Sequence, residues 1–165
     1  MSKQSITQEL LRTMFDYRDD GNLIWRENFA PGARQGVVAG CFGTRIYAKV
    51  GLFGKSYPLH RLVFLWHHGW LPVKVDHANL NKRDNHIENL RPASHGQNTH
   101  NVGKSKANTS GVKGVCWHKR DEKWAAYCNV SKVHHNLGYF DSLADAEAAV
   151  RAFREQHHGE FTCHG

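Results

Sequence analysis

The chain lacks any apolar run approaching the roughly 18 residues that cross a bilayer, which argues against a helical membrane span. Its opening stretch, MSKQSITQELL, has no apolar segment of the secretion-signal kind. Cysteine is sparse: Cys41, Cys116, Cys128 and Cys163 are scattered, with no C-x-x-C pair. That argues against a zinc ribbon or a disulfide scaffold, and free thiols fit a reducing cytoplasm. Cys116 and Cys128 are expected as small apolar fillers in strands. Acidic residues are short as well, 15 Asp and Glu against 22 Lys and Arg, for a net charge of +7. Thirteen histidines add further positive charge beside a phosphate backbone, which favours their protonated form. Such a balance fits a polyanionic partner without naming one. No internal repeat or low-complexity tract is present. The 165 residues, 40% hydrophobic and 22% charged, suit one ordinary globular domain or two small ones.

Apolar periodicity predicts a short amphipathic helix over 5–15, with Ile6, Leu10 and Met14 on one face. A turn at Asp20–Gly21 and a strand over 23–25 follow. Phe53-Gly54-Lys55 reads as a hairpin turn between RIYAKVGL and KSYPL. HRLVFLWHHGW is an apolar helix that Gly69 ends and Pro72 confirms as stopped. His67 and His68 suit its C-terminal dipole, and His60 reads as a cap or packing residue. Residues 99–109 have almost no hydrophobic content and read as a basic polar linker. Beyond it come three short strands and a helix that Ser142 opens and Gly159 closes.

The stretch VDHANLNKRDNHIENL, residues 75–90, puts an acid beside a histidine ahead of a loop too polar for a core. Hydrolysing a phosphodiester needs a base to activate water and a cation to neutralise charge. Histidine is the natural base near neutral pH, and oxygen donors suit Mg²⁺. Asp76-His77 ends a predicted strand, VKVD; NLRPAS predicts a second; and Ser94 with Gln97 predicts a capped helix start holding Asn98. Adjacent strand residues face opposite ways, so Asp76 and His77 share one site only where that strand ends or twists.

The string Asp76-His77, Asn89 twelve positions later and Asn98 nine positions further resembles the HNH nucleases of the phage and intron-associated branch. YPLHRLVFLW looks like the helix that introduces this motif there. The resemblance implies a β-β-α metal site over about 73–101. It makes His77 the general base, Asp76 and Asn98 ligands of one Mg²⁺ (or Mn²⁺), and Asn89 the residue that orients the His77 loop. Arg61 is a candidate for the scissile phosphate, or equally for a structural carboxylate such as Glu88. Asp84 and Asn85 are expected to shape the loop. Many members have glycine where this chain has Leu80, so Asn79 or Asn81 is expected to take any left-handed turn.

Residues 110–161 resemble the plant Apetala-type (ethylene-response-factor) DNA-binding domain in GVKGVCW, KWAAY, LGYFDS and ADAEAAVRAF. Strand alternation turns Trp124, Ala126, Cys128 and Val130 toward the helix, with Val115, Trp117 and Leu137. The helix buries Leu143, Ala146, Val150 and Phe153. The candidate DNA-binding set is Lys113, His118, Lys119, Arg120, Lys123, Tyr127, Asn129, Lys132, His134 and Asn136, with Lys104 and Lys106 in the linker. A sheet face of donors can enter a major groove.

The combined expectation is an α+β chain: an HNH nuclease domain over 1–98, a linker over 99–109, and a three-stranded antiparallel sheet with one helix over 110–165. It is read as a homing-type DNA endonuclease acting on double-stranded DNA in the cytoplasm of a bacterial host. It needs no membrane or small-molecule cofactor and is monomeric. The competing reading is a non-catalytic DNA-binding protein that kept the nuclease scaffold.

Overall fold

The computed structural model describes residues 5–29, 32–42, 46–101, 103–105, 107–130 and 133–164; Lys106 and Lys132 fall outside them. Helices and small antiparallel sheets alternate along the chain, giving an α+β architecture. Two compact units divide between Ser94 and His95. Among the described residues no helix is long and apolar enough to cross a membrane.

The first unit opens with α1 (Gln8–Met14), capped by Thr7, whose hydroxyl accepts from the Leu10 amide. The helix ends before Phe15 because FDYR changes the buried period from helical to alternating, and β1 (Phe15–Arg18) pairs with β2 (Asn22–Trp25). This first strand was not expected from sequence. A second hairpin, β3 (Lys49–Leu52) and β4 (Lys55–Pro58), turns at Phe53–Gly54, both at positive φ. The apolar helix α2 (Leu59–His68) follows and ends at Gly69 in the left-handed region. It buries Leu59, Leu62, Val63, Phe64 and Leu65 in a core shared with Leu11, Phe15, Leu23 and Val50. The Gln8 amide donates to the Trp66 and His67 carbonyls, so α1 satisfies the last turn of α2. Then β5 (Lys74–His77) pairs antiparallel with β6 (Leu90–Ala93).

The second unit contains α3 (His95–His100), a sheet in the order β7 (Val115–His118), β8 (Lys123–Val130), β9 (Val133–Phe140), and α4 (Leu143–His158). Val115, Ala126, Ala146 and Val150 form its core, flanked by Trp124, Leu137, Phe140 and Leu143. The Ser142 hydroxyl accepts from the Ala144 amide and caps α4. The register shifts between Ala126 and Tyr127, where Leu137 is the unpaired bulge residue of β9. Part of the expected linker is ordered: residues 99–100 belong to α3, the Asn108 amide donates to the Val112 carbonyl, and Lys104 donates to that of Gly111.

Three packing expectations change. Trp117 faces the predicted side, opposite Trp124, but stands 45% exposed and meets only the edge of that ring, at 5.0 Å between centroids. Cys116 is exposed rather than a filler, whereas Cys128 is buried. On α4 the buried stripe passes from Ala146 and Val150 to Arg154 and His158, not to Phe153. Phe153 is half-buried and stacks on His157, with centroids 4.0 Å apart.

Candidate active site and nucleic-acid interface

Asp76 and His77 close β5, and each is 1% exposed. In the antiparallel register Asp76 lies opposite Arg91 and His77 opposite Leu90. Arg91 donates from Nε and Nη2 to Asp76 Oδ2, at 3.1 and 3.0 Å. This guanidinium was not singled out in the sequence. Its signal was available in the hairpin itself, because pairing His77 with Leu90 puts Arg91 across from Asp76.

The polar loop between the strands is a chain of side-chain-closed turns. Asn79 Oδ1 accepts from the Asn81 amide, Asn81 Oδ1 from Arg83, and Asp84 Oδ1 from His86. Asn and Asp stabilise such turns by mimicking a backbone carbonyl. Asn89 clamps both ends: its Oδ1 accepts from the Asn79 amide at 2.9 Å and its Nδ2 donates to the Asp84 carbonyl at 2.8 Å. Asn89 thus bridges the two ends of the loop through its side-chain amide. His77 Nε2 meets Asn85 Oδ1 at 3.2 Å. An amide oxygen there can accept from a proton on Nε2. The left-handed residue in the loop is Leu80 itself, at φ +65°, and neither neighbouring asparagine takes that conformation.

His77 sits in a ring cluster with His60, centroids 5.0 Å apart, and Tyr47, at 6.0 Å. Burial lowers the His77 pKa, against the Asn85 bond, which raises it. Burial, with the neighbouring His77 next, pulls His60 down to about 3. Burial and then the Asp76 charge raise Tyr47. His60 is thus a packing residue, as expected, and its partner is the candidate base. Arg61 donates to the Val73 and Pro72 carbonyls, both at 3.2 Å, tying α2 to the approach of β5, and among the described residues it forms no ion pair with Glu88. Gly21, at φ +80°, lets the β1–β2 turn abut the loop: a Cβ there would lie 2.5 Å from the His86 nitrogen and 2.6 Å from the Asn85 carbonyl carbon. Asn98 stands on α3, in the second unit.

In the second unit, Cys116, His118, Lys123, Tyr127, Asn129, His134 and Asn136 occupy the sheet face away from α4, by register. Tyr139, opposite Ala125, joins them, meets His118 edge-on at 5.2 Å and was missed; the bulge at Leu137 shifts the alternation that would have revealed it. Several basic side chains there are already engaged: Arg120 and His118 with Asp121, and Lys123 with Asp141. Asn129 accepts from His134 at 2.9 Å, and Lys119 is exposed. Lys113 departs from the predicted face: it is half-buried, and its ammonium donates to the Cys163 carbonyl at 3.1 Å.

An HNH endonuclease family profile matches residues 57–100, the segment from the end of β4 through α3. The match thus carries Asp76, His77, Asn89 and Asn98 together. Protein 3.8 of Escherichia phage T7 is 33% identical over 87 residues, covering 53% of this chain and 71% of that protein. No solved structure matches. With the motif, its hairpin and a phage relative all in place, the chain belongs to the HNH endonuclease family.

Proposed function

We propose that the chain is a homing-type DNA endonuclease in which His77 is the general base and the second unit grips the duplex. The observation that carries this reading is the buried His77, kept neutral by its surroundings and held through Nε2 by Asn85 in a loop that Asn89 clamps. A base must be unprotonated and correctly turned before substrate arrives; burial favours the first condition and the Asn85 bond the second.

The donor set fits a hard divalent cation. Asp76 offers a carboxylate oxygen, although among the described residues no group of three or more His, Cys, Asp or Glu gathers that could hold a metal. Mg²⁺ takes few protein oxygens and keeps its waters, and Mn²⁺ shares that preference for oxygen donors. When bound, such a cation supplies charge neutralisation at the phosphate and the leaving oxygen. Arg91 holds Asp76 at one oxygen and so fixes the carboxylate plane. The motif assigns Asn98 to the same cation, and that assignment rests on the resemblance and the family match.

In the proposed reaction His77 takes a proton from water at Nδ1, and the oxygen attacks phosphorus in line. The P–O3′ bond then breaks and the leaving oxygen takes a proton from solvent water, giving a 5′-phosphate and a 3′-hydroxyl. Arg61, near the start of α2, is the candidate phosphate contact. The sheet face bearing His118, Lys119, Arg120, Lys123, Tyr127, Asn129, His134 and Asn136 is the candidate DNA surface, with Lys104, Lys106 and Lys132 as further backbone contacts.

The test incubates supercoiled plasmid, and host and phage genomic DNA, with the protein in Mg²⁺, Mn²⁺ or EDTA. Metal-dependent nicking or linearisation is expected, falling about 10²-fold or more in His77→Ala while duplex binding persists. Binding without cleavage on every substrate and metal would replace this reading with the non-catalytic DNA-binding protein.

A further inference from the structure

The buried face of α4 repeats every four residues: Ala146, Val150, Arg154, His158. The first two fill the core of the second unit. The last two put a guanidinium and an imidazole where that spacing asks for apolar groups. Arg154 is 3% exposed, and a guanidinium does not shed its charge. Its Nη2 donates to the Lys113 carbonyl at 2.8 Å, but its buried Nε has no hydrogen-bond partner, and no carboxylate pairs with it among the described residues. A buried charge without a counter-charge is costly, so the position calls for an anion.

A cavity of about 190 Å³ lies beside it. Lys113, Gly114, Asn129, Arg154 and His158 line it, and no Asp or Glu does. Burial lowers the Lys113 pKa, and the Arg154 charge acts in the same direction. The local backbone is built around the guanidinium. Gly114 has φ +77°, and a Cβ there would fall 2.7 Å from Arg154 Nη2 and 2.5 Å from the Tyr127 carbonyl oxygen. Glycine is the residue that allows this approach.

We propose that this cavity binds a phosphate group, recognised by the Arg154 guanidinium and the Lys113 ammonium. A tetrahedral dianion or diester matches the guanidinium fork beside a point charge. The phosphate can belong to a nucleic-acid backbone or to a small phosphorylated molecule. The inference stands independently of the nuclease reading.

The test uses the full chain, ¹⁵N-labelled, in EDTA so that no DNA is cut. Inorganic phosphate is titrated against chloride at constant ionic strength. Saturable shifts are expected at the Gly114 and Tyr127 amides and at the Arg154 Nε–H, weakened several-fold in Lys113→Met and lost in Arg154→Gln. Lys113→Met keeps the test decisive if Arg154→Gln fails to fold. A second arm measures duplex affinity against salt concentration. If Lys113→Met weakens duplex binding and reduces the salt slope by about one, the occupant is a backbone phosphate. If phosphate binds but duplex affinity is unchanged, the occupant is a small phosphorylated molecule. Phosphate shifts that Lys113→Met leaves unaltered, or no saturable shift together with an unaltered duplex salt slope, would overturn the proposal.

Discussion

At the scale of single residues, Phe53, Leu80 and Glu122 hold a left-handed backbone that their side chains do not favour. Phe53, half exposed, holds φ +50° at the first position of a hairpin turn ahead of Gly54, and Leu80 holds φ +65° in the loop after His77. The left-handed conformation costs an ordinary L-residue roughly 1–2 kcal/mol. Phe53→Asn creates the Asn-Gly pair that this turn type prefers, and we expect it to raise unfolding stability by about 1 kcal/mol in urea titrations. His60 gives a pH signature. Its folded-state pKa, about 3, lies below the ordinary 6.5, so the unfolded chain binds the proton first. The stability it confers is complete above pH 6.5 and is lost as pH falls, at about 1.4 kcal/mol per pH unit down to about 3. His77, also depressed, acts in the same sense. Urea titrations between pH 7 and 4 should show the decline, with a shallower slope in His60→Gln. The His77 motif was legible because its residues and their spacing resemble those of a known family. Its ring partners His60 and Tyr47 were not, because contacts between residues 17 and 30 positions apart leave no local pattern, and Asn85, eight positions on, was read only as shaping the loop.

At the scale of elements, the β5–β6 hairpin depends on what crosses it. Arg91→Ala would leave the almost fully buried Asp76 carboxylate without its guanidinium. Losing one partner of such a pair costs about 3 kcal/mol or more, readable as a fall in the thermal midpoint. Gly21→Ala combines an unfavourable φ with a clash against backbone at Asn85 and His86, so the loop must move. We expect cleavage to fall through kcat while duplex affinity, measured by titration in EDTA, stays near wild type. The β-β-β-α order of the second unit was readable because its strands alternate and its helix is capped. The bulge at Leu137 and the burial of Arg154 were not, since neither alternation nor hydrophobicity predicts a pairing shift or a buried cation. The strand β1 escaped notice because it follows α1 without an intervening turn.

At the scale of the whole molecule, a net charge of +7 favours association with a polyanion over a broad surface. On the proposed reading, duplex affinity falls steeply with salt. Lys119→Ala should weaken binding alike on all sequences and reduce the salt slope by about one, as fluorescence anisotropy at several salt concentrations would show. The family match runs from residue 57 to residue 100, whereas the compact units divide between Ser94 and His95. One buried cluster ends at Leu90 and the other begins at Val115. A protease site inserted at that division would therefore leave every residue of each cluster on one fragment while severing the motif. On the proposed reading, cleavage there becomes a means of switching the protein off without unfolding it: activity would be governed by the continuity of a short stretch of chain that belongs to neither core.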